Sequence, residues 1–163
     1  MASDLVDEIL MQWTRERPDL DASPMSILGR VARLHIYFQK SLGGVIAEYG
    51  INPGEFDVLA TLRRNGAPYQ LTPTELYNSM MVASGTMTNR VDKLEKRGLV
   101  ERLADKRDRR GTLISLTDKG FELIETVVTA HVENGHRLLS HLEKSERDNL
   151  AKLMRELLIS LET

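Results

Sequence analysis

Apolar residues recur every three to four positions along most of the chain, the spacing of helices that bury one face. From Asp4 to Arg15, Leu5, Val6, Ile9, Leu10 and Trp13 form one broad stripe. Arg17-Pro18 closes this helix, because the residue before a proline avoids the helical region. Ser23-Pro24 then offers an N-cap with proline at the first helical position. The helix it opens runs to about Tyr49, with Ile27, Leu28, Val31, Leu34, Ile36 and Phe38 supplying apolar contact. Gly43-Gly44 marks a kink or an early end in it.

Two capping boxes follow. Asn52-Pro53-Gly54-Glu55 opens a helix carrying Phe56, Leu59 and Leu62, which stops at Asn65-Gly66. Thr72-Pro73-Thr74-Glu75 opens a short helix carrying Leu76 and Met80. After a turn at Val82 to Ser84, Met87, Val91 and Leu94 share the inner face of a further helix. Its outer face carries Gly85, Asn89, Asp92, Lys93 and Lys96, flanked by Thr86 and Thr88. Leu99, Val100 and Leu103, then Leu113, Ile114 and Leu116, read as two strands around a turn rich in arginine. Thr117-Asp118 starts a long helix from about Lys119 to Leu142, with a stripe of Phe121, Ile124, Val128, Val132 and Leu139. Ser145, with Asp148 at the box position, caps a last helix rich in leucine. The fold class is therefore mainly α with a small β-hairpin.

Charge sharpens this picture. The chain of 163 residues has a formal net charge of −2, yet Thr86 to Ser115 holds nine basic and five acidic residues. That segment is +4 and the rest is −6. Crowding Lys106, Arg107, Arg109 and Arg110 into one turn costs self-repulsion that a purely structural turn does not require. The same cations suit phosphates or a narrow minor groove. Short polar groups at the leading end of the preceding helix, with lysines behind, suit base edges and phosphates in a major groove.

SGTMTNRVDKLEKRGLVER followed by DKRDRRGTLISLTDKG resembles the winged helix-turn-helix of MarR-type transcriptional regulators, and the similarity runs through nearly the whole chain. The resemblance implies a DNA-binding lobe over residues 51–117 and a helical dimerisation region over 1–50 and 118–163. It implies a homodimer on a double-stranded, pseudo-palindromic site, acting as a repressor. The residues assigned to DNA are Ser84, Thr86, Thr88, Asn89 and Lys93 on and before the recognition helix, and Arg107, Arg109 and Arg110 in the wing. Arg107 and Arg109 are placed at the wing tip, while Arg110 is the better candidate for an internal pairing with Asp108.

The family often responds to small anionic aromatic ligands such as phenolic acids, and one branch with an added N-terminal helix responds to urate. This chain resembles that branch in carrying Trp13, Asp57 and Arg90. A tryptophan face stacks on a planar ligand, an arginine pairs with its charge, and an aspartate orients its donors. Trp13 reads equally as core. Arg90 points sideways from the recognition helix, which leaves it open to a phosphate contact, an ion pair with an acid such as Asp57, or a role toward the dimer helices.

Other chemistry finds little support. With no cysteine there is no disulfide, thiolate metal site or thiol sensor. His131, His136 and His141 step by five, so they share no helical face, and neither a metal nor a cofactor is expected. There is no nucleophile–base constellation or glycine-rich phosphate loop, which ranks an enzyme last. A winged-helix interaction module that never binds DNA is the alternative, and the basic turn argues against it. The first thirteen residues carry three acids and no base, unlike a signal peptide, and no apolar run approaches the roughly 18 residues of a membrane span. A cytoplasmic protein that avoids membranes is expected. The wing assignment is testable: Arg107→Ala with Arg109→Ala should weaken duplex binding and flatten its dependence on salt, by about one unit of slope for each phosphate no longer neutralised. An unchanged slope would remove these two cations from the interface.

Overall fold

A computed structural model describes residues 3–81, 87–105, 108 and 111–162. Seven helices and three strands lie among them: α1 (Leu5–Glu16), α2 (Met25–Glu48), α3 (Pro53–Arg64), β1 (Gln70–Leu71), α4 (Pro73–Ser79), α5 (Met87–Lys96), β2 (Val100–Ala104), β3 (Thr112–Leu116), α6 (Asp118–Leu138) and α7 (Lys144–Glu162). The chain divides into two compact units, Met1–Ser41 and Leu42–Thr163.

In the first unit, Asp4 caps α1. Its carboxylate accepts the Val6 and Asp7 N–H groups, and Asp7 accepts the Asp4 N–H in return. Arg30 of α2 reaches back to Asp4 at 2.9 Å and to Asp7 at 2.7 Å. Val6 is buried against Gly29, where a Cβ would come within 3.3 Å of it. Ser23 does not cap α2 as expected: its N–H turns back to Asp21, and Ile27 and Leu28 donate to the Pro24 carbonyl. Nor do Gly43 and Gly44 interrupt α2, which runs through to Glu48. The apolar residues Ile27, Leu28, Val31, Leu34 and Ile36, expected to supply contact, are all exposed.

The second unit is built around α3. Asn52 and Glu55 form the expected capping box, and Val58, Leu59 and Leu62 are fully buried. Leu76 of α4, Val91 and Leu94 of α5, Val100 of β2, Ile114 of β3, and Ile124 and Val127 of α6 complete the core. The Thr72 capping box of α4 also forms. The sheet has three strands in the order β1-β3-β2, all antiparallel, with Arg102 opposite Ile114. The hairpin expected from sequence thus gains a two-residue edge strand. β1 is too short to show an alternating pattern, and it pairs Gln70 with Ser115 and Leu71 with Ile114.

Three details of the C-terminal helices differ from the sequence-based expectation. The buried stripe of α6 passes through Ile124 and Val127 rather than Val128, while Val132 is exposed. The helix ends at Leu138, before Leu142. At the start of α7 the Glu143 N–H donates to Glu146, and Asp148 pairs with Lys144 instead of serving a cap at Ser145. No residue of α7 is buried.

The first turn of α6 is stitched to the loop after α5. Thr117 caps α6 by accepting the Gly120 N–H, and its hydroxyl donates to the Gly98 carbonyl at 2.7 Å. The Thr117 N–H donates to the Leu99 carbonyl. A Cβ on Gly120 would lie 1.9 Å from that same oxygen, an impossible separation, and the obstacle is backbone that cannot swing aside. Gly120→Ala is therefore expected to destabilise the fold by about 3 kcal/mol, in the range of overpacked core substitutions, with a matching fall in the urea midpoint. An unchanged midpoint would show that the α6–loop junction is slack.

Candidate nucleic-acid interface

The helix expected to read DNA is α5, ten residues long and too short to persist alone. Val91 and Leu94 are buried on the core and Met87 packs beside them. Each fully buried aliphatic side chain contributes roughly 1.5–3 kcal/mol, so this face anchors the helix. Its end is closed by a Schellman motif. The Leu99 N–H bonds to the Leu94 carbonyl and the Gly98 N–H to the Glu95 carbonyl. Gly98 sits at φ +67°, where a side chain would be strained, and the motif's apolar pair, Leu94 and Leu99, is buried.

With one face fixed inward, the rest of α5 sorts by angle. Thr88, Asn89, Lys93 and Lys96 are exposed. Asn89 and Lys96 lie nearly opposite the buried stripe, at the centre of the outward face. Thr88, Asn89 and Lys93, three of the residues assigned to DNA from sequence, are thus displayed to solvent on one helix. Ser84, Thr86, Arg107, Arg109 and Arg110 lie outside the described residues. At the base of the wing, the Asp105 N–H bonds to the Gly111 carbonyl and the Gly111 N–H to the Asp108 carbonyl, which closes the turn.

An arginine lies along each flank of α5, one in ion pairs and the other against backbone. On the β2 side, Arg102 reaches Asp92 at 2.5 Å and also pairs with Glu95. The hydrogen bond to Asp92 is the chief cause that raises the Arg102 pKa above its ordinary value. Helical spacing does not reveal this clamp, since it groups Asp92 with the outward polar face. The available signal is a basic residue two positions into a strand that follows a helix with acids at i and i+3, but only the strand's placement makes them meet. On the α3 side, Arg90 lies along Gly54, so close that a Cβ there would be 2.6 Å from the Arg90 Nε. Only a glycine leaves room for the guanidinium to lie flush.

The pairing of Arg90 with Asp57, one of the roles left open for it, is not made among the described residues. Asp57 lies one turn beyond Gly54 on the same face of α3, and its Oδ2 is buried with no hydrogen-bond partner. Trp13 belongs to the first unit, where it is 39% exposed. His131 stacks on Phe56 with ring centroids 4.8 Å apart, and burial pushes its pKa below the ordinary value. Among the described residues no three His, Asp or Glu side chains gather as a metal site.

The C-terminal end of α5 is tied down by a second network. Glu55, 7% exposed, accepts the Asn52 N–H and pairs with Arg97 at 3.4 Å. Lys119 of α6 donates to the Arg97 carbonyl at 2.9 Å. Behind the sheet, Arg63 pairs with Glu125 at 2.6 Å and stands over the Tyr69 and Phe121 rings at 5.3 and 5.0 Å. It braces the segment entering β1 against α6.

A short lead-in helix, a second helix with a polar outward face and a flanking antiparallel sheet define a winged helix-turn-helix. A family model described as MarR family matches residues 51–112. Over 149 residues the chain is 42% identical to the HTH-type transcriptional regulator PecS of Dickeya dadantii (strain 3937), covering 91% of this chain and 90% of that one. It is 32% identical over 136 residues to the transcriptional repressor MprA of Escherichia coli (strain K12), covering 81% and 77%. In fold it matches the MarR family regulator Sco3205 of Streptomyces coelicolor, solved in complex with DNA, with TM-score 0.76 at 22% identity over 88% of this chain and 91% of that one. The chain belongs to the MarR family of winged-helix transcriptional regulators, and is not an enzyme.

The outward position of Asn89 makes its role measurable. Asn89→Ala should relax sequence preference by about 1–3 kcal/mol, the worth of a bidentate base contact, while binding to mixed-sequence duplex holds. Equal weakening on every sequence would instead make Asn89 a phosphate contact.

Proposed function

We propose that the protein acts as a homodimeric repressor on a pseudo-palindromic duplex. Each α5 enters a major groove through Thr88, Asn89 and Lys93, with Ser84 and Thr86 at its approach. Arg107, Arg109 and Arg110 of the wing face the flanking backbone and minor groove. Two-fold symmetry of the dimer sets half-sites about one helical turn apart. Occlusion of a promoter by such a dimer gives repression.

The observation that carries the dimer is α7. Leu150, Leu153, Met154, Leu157, Leu158 and Leu161 are all between 42% and 73% exposed on this nineteen-residue helix. So continuous an apolar surface on a small domain marks an interaction face, and a helix of this composition gains its stability from burying it. A second copy supplies a matching surface by symmetry. The apolar residues exposed on α1 and α2 fit the same role, with residues 1–50 and 118–163 as the dimerisation region.

Release by a small anionic aromatic ligand, urate or a phenolic acid, is favoured by Asp57 and Arg90. A carboxylate oxygen buried without a donor carries a desolvation cost that a ligand N–H or O–H would remove. Arg90, lying on the same face of α3, offers a charge partner for the ligand's anion. Because Arg90 is part of α5, its movement toward a ligand would carry the recognition helix with it.

Leu157→Glu tests the dimer. The wild type should sediment as a dimer and enrich an inverted repeat from random duplexes, whereas the variant should be a folded monomer that enriches no repeat. A wild-type monomer that still enriches an inverted repeat would overturn the dimer reading. In the same enrichment, loss of the repeat with urate or salicylate, abolished by Asp57→Asn, is expected of the ligand reading. Indifference to both compounds would overturn it.

A further inference from the structure

The acids on the recognition helix sit awkwardly for a DNA-binding surface. Asp92 and Glu95 follow Thr88 along the β2-facing flank of α5, beside the outward stripe of Asn89, Lys93 and Lys96. Two carboxylates so placed would face a phosphate backbone, and like charges brought together at an interface oppose binding. One residue answers both. Arg102 holds Asp92 at 2.5 Å and pairs with Glu95 through its other terminal nitrogen. Its side chain is one-third exposed, and those of Asp92 and Glu95 are 46% and 38% exposed.

We propose that Arg102 is a positioning residue for DNA binding, which cancels the negative charge of Asp92 and Glu95 and locks β2, the root of the wing, to the recognition helix. This rests on the reading that α5 and the wing meet DNA together. Arg102 acts through the two carboxylates, not by touching phosphate. The planar fork of a guanidinium spans both carboxylates at once, which a single ammonium does less well. The pairing also fixes the relative setting of helix and wing, whose cations must reach the duplex in one docking event. Arg102 is well placed for this, since it stands opposite Ile114 in the middle of the β2–β3 ladder, where the strand is most firmly held.

The alternative is that Arg102 is one more phosphate-binding cation. The two differ in what repairs its loss. Binding of the full-length protein to a fluorescein-labelled, mixed-sequence duplex pool would be followed by anisotropy across a series of KCl concentrations. Arg102→Ala should weaken binding about ten-fold, an ordinary size for an unmasked like charge at an interface. Arg102→Lys should recover part of that loss. The decisive variant combines Arg102→Ala with Asp92→Asn and Glu95→Gln. If Arg102 works by masking and positioning, removal of the acids restores affinity to within about three-fold of wild type, with the salt slope unchanged. If it binds phosphate, the combined variant stays as weak as Arg102→Ala and its slope falls by about one. That result would overturn the proposal while leaving the DNA-binding reading intact. Failure of the wild type itself to bind at low salt would overturn both. Circular dichroism and urea midpoints for each variant separate lost binding from lost fold.

Discussion

A ten-residue helix that shows a polar face to solvent has little stability of its own, and the surrounding second unit is arranged to supply what α5 lacks. Val91 and Leu94 sink its inner face into a core centred on α3. The Schellman turn at Gly98 satisfies its last carbonyls, and the chain then passes directly under α6. That passage allows no side chain on Gly120, since the Leu99 carbonyl occupies the space a Cβ would need. The backbone therefore runs from recognition helix to wing with α6 pressed against it, and the wing inherits its direction from that contact.

Charge acts on top of this apolar frame. Arg102 binds the acids of α5 to β2, and Arg97 binds its C-terminal end to Glu55, the residue that also caps α3. Exposed ion pairs are worth little individually. Here they matter less as a source of stability than as a means of deciding which charges face the solvent unopposed. Pairing withdraws Asp92 and Glu95 from the solvent-facing field while leaving the exposed lysines Lys93 and Lys96 to dominate it. A domain that is acidic in total can then present a basic surface at one place.

How much of this could be read from the sequence follows from how local each feature is. The Asn52 and Thr72 boxes are set within four residues, and both form as written. The inner face of α5 follows from helical spacing alone. The strand β1 has only two residues and pairs through its backbone with β3, about forty-five residues away, so no local pattern announces it. The Arg102 clamp likewise joins residues seven and ten apart across a turn, a distance no periodicity covers. The open apolar faces of α2 and α6 show a limit of periodicity. Spacing tells which residues share a face, but not whether this chain supplies a surface to cover it, and Ile27, Leu28 and Val132 are apolar on faces left open.

The contact between Arg90 and α3 differs in kind from the others that hold α5. The β2 flank and the C-terminal end are held by ion pairs, and the inner face by close packing. At Arg90 the guanidinium lies against Gly54, and the Oδ2 of Asp57, one turn along α3, has no hydrogen-bond partner among the described residues. A buried carboxylate oxygen without a hydrogen-bond donor adds nothing to stability, so Asp57 does not help to hold α5 on α3. On this side α5 is therefore held by van der Waals contact of Arg90 with Gly54, without an ion pair to Asp57. Of the contacts that hold α5, this one lacks both the directionality of the ion pairs at Arg102 and Arg97 and the burial of Val91 and Leu94, so it constrains the setting of the helix least.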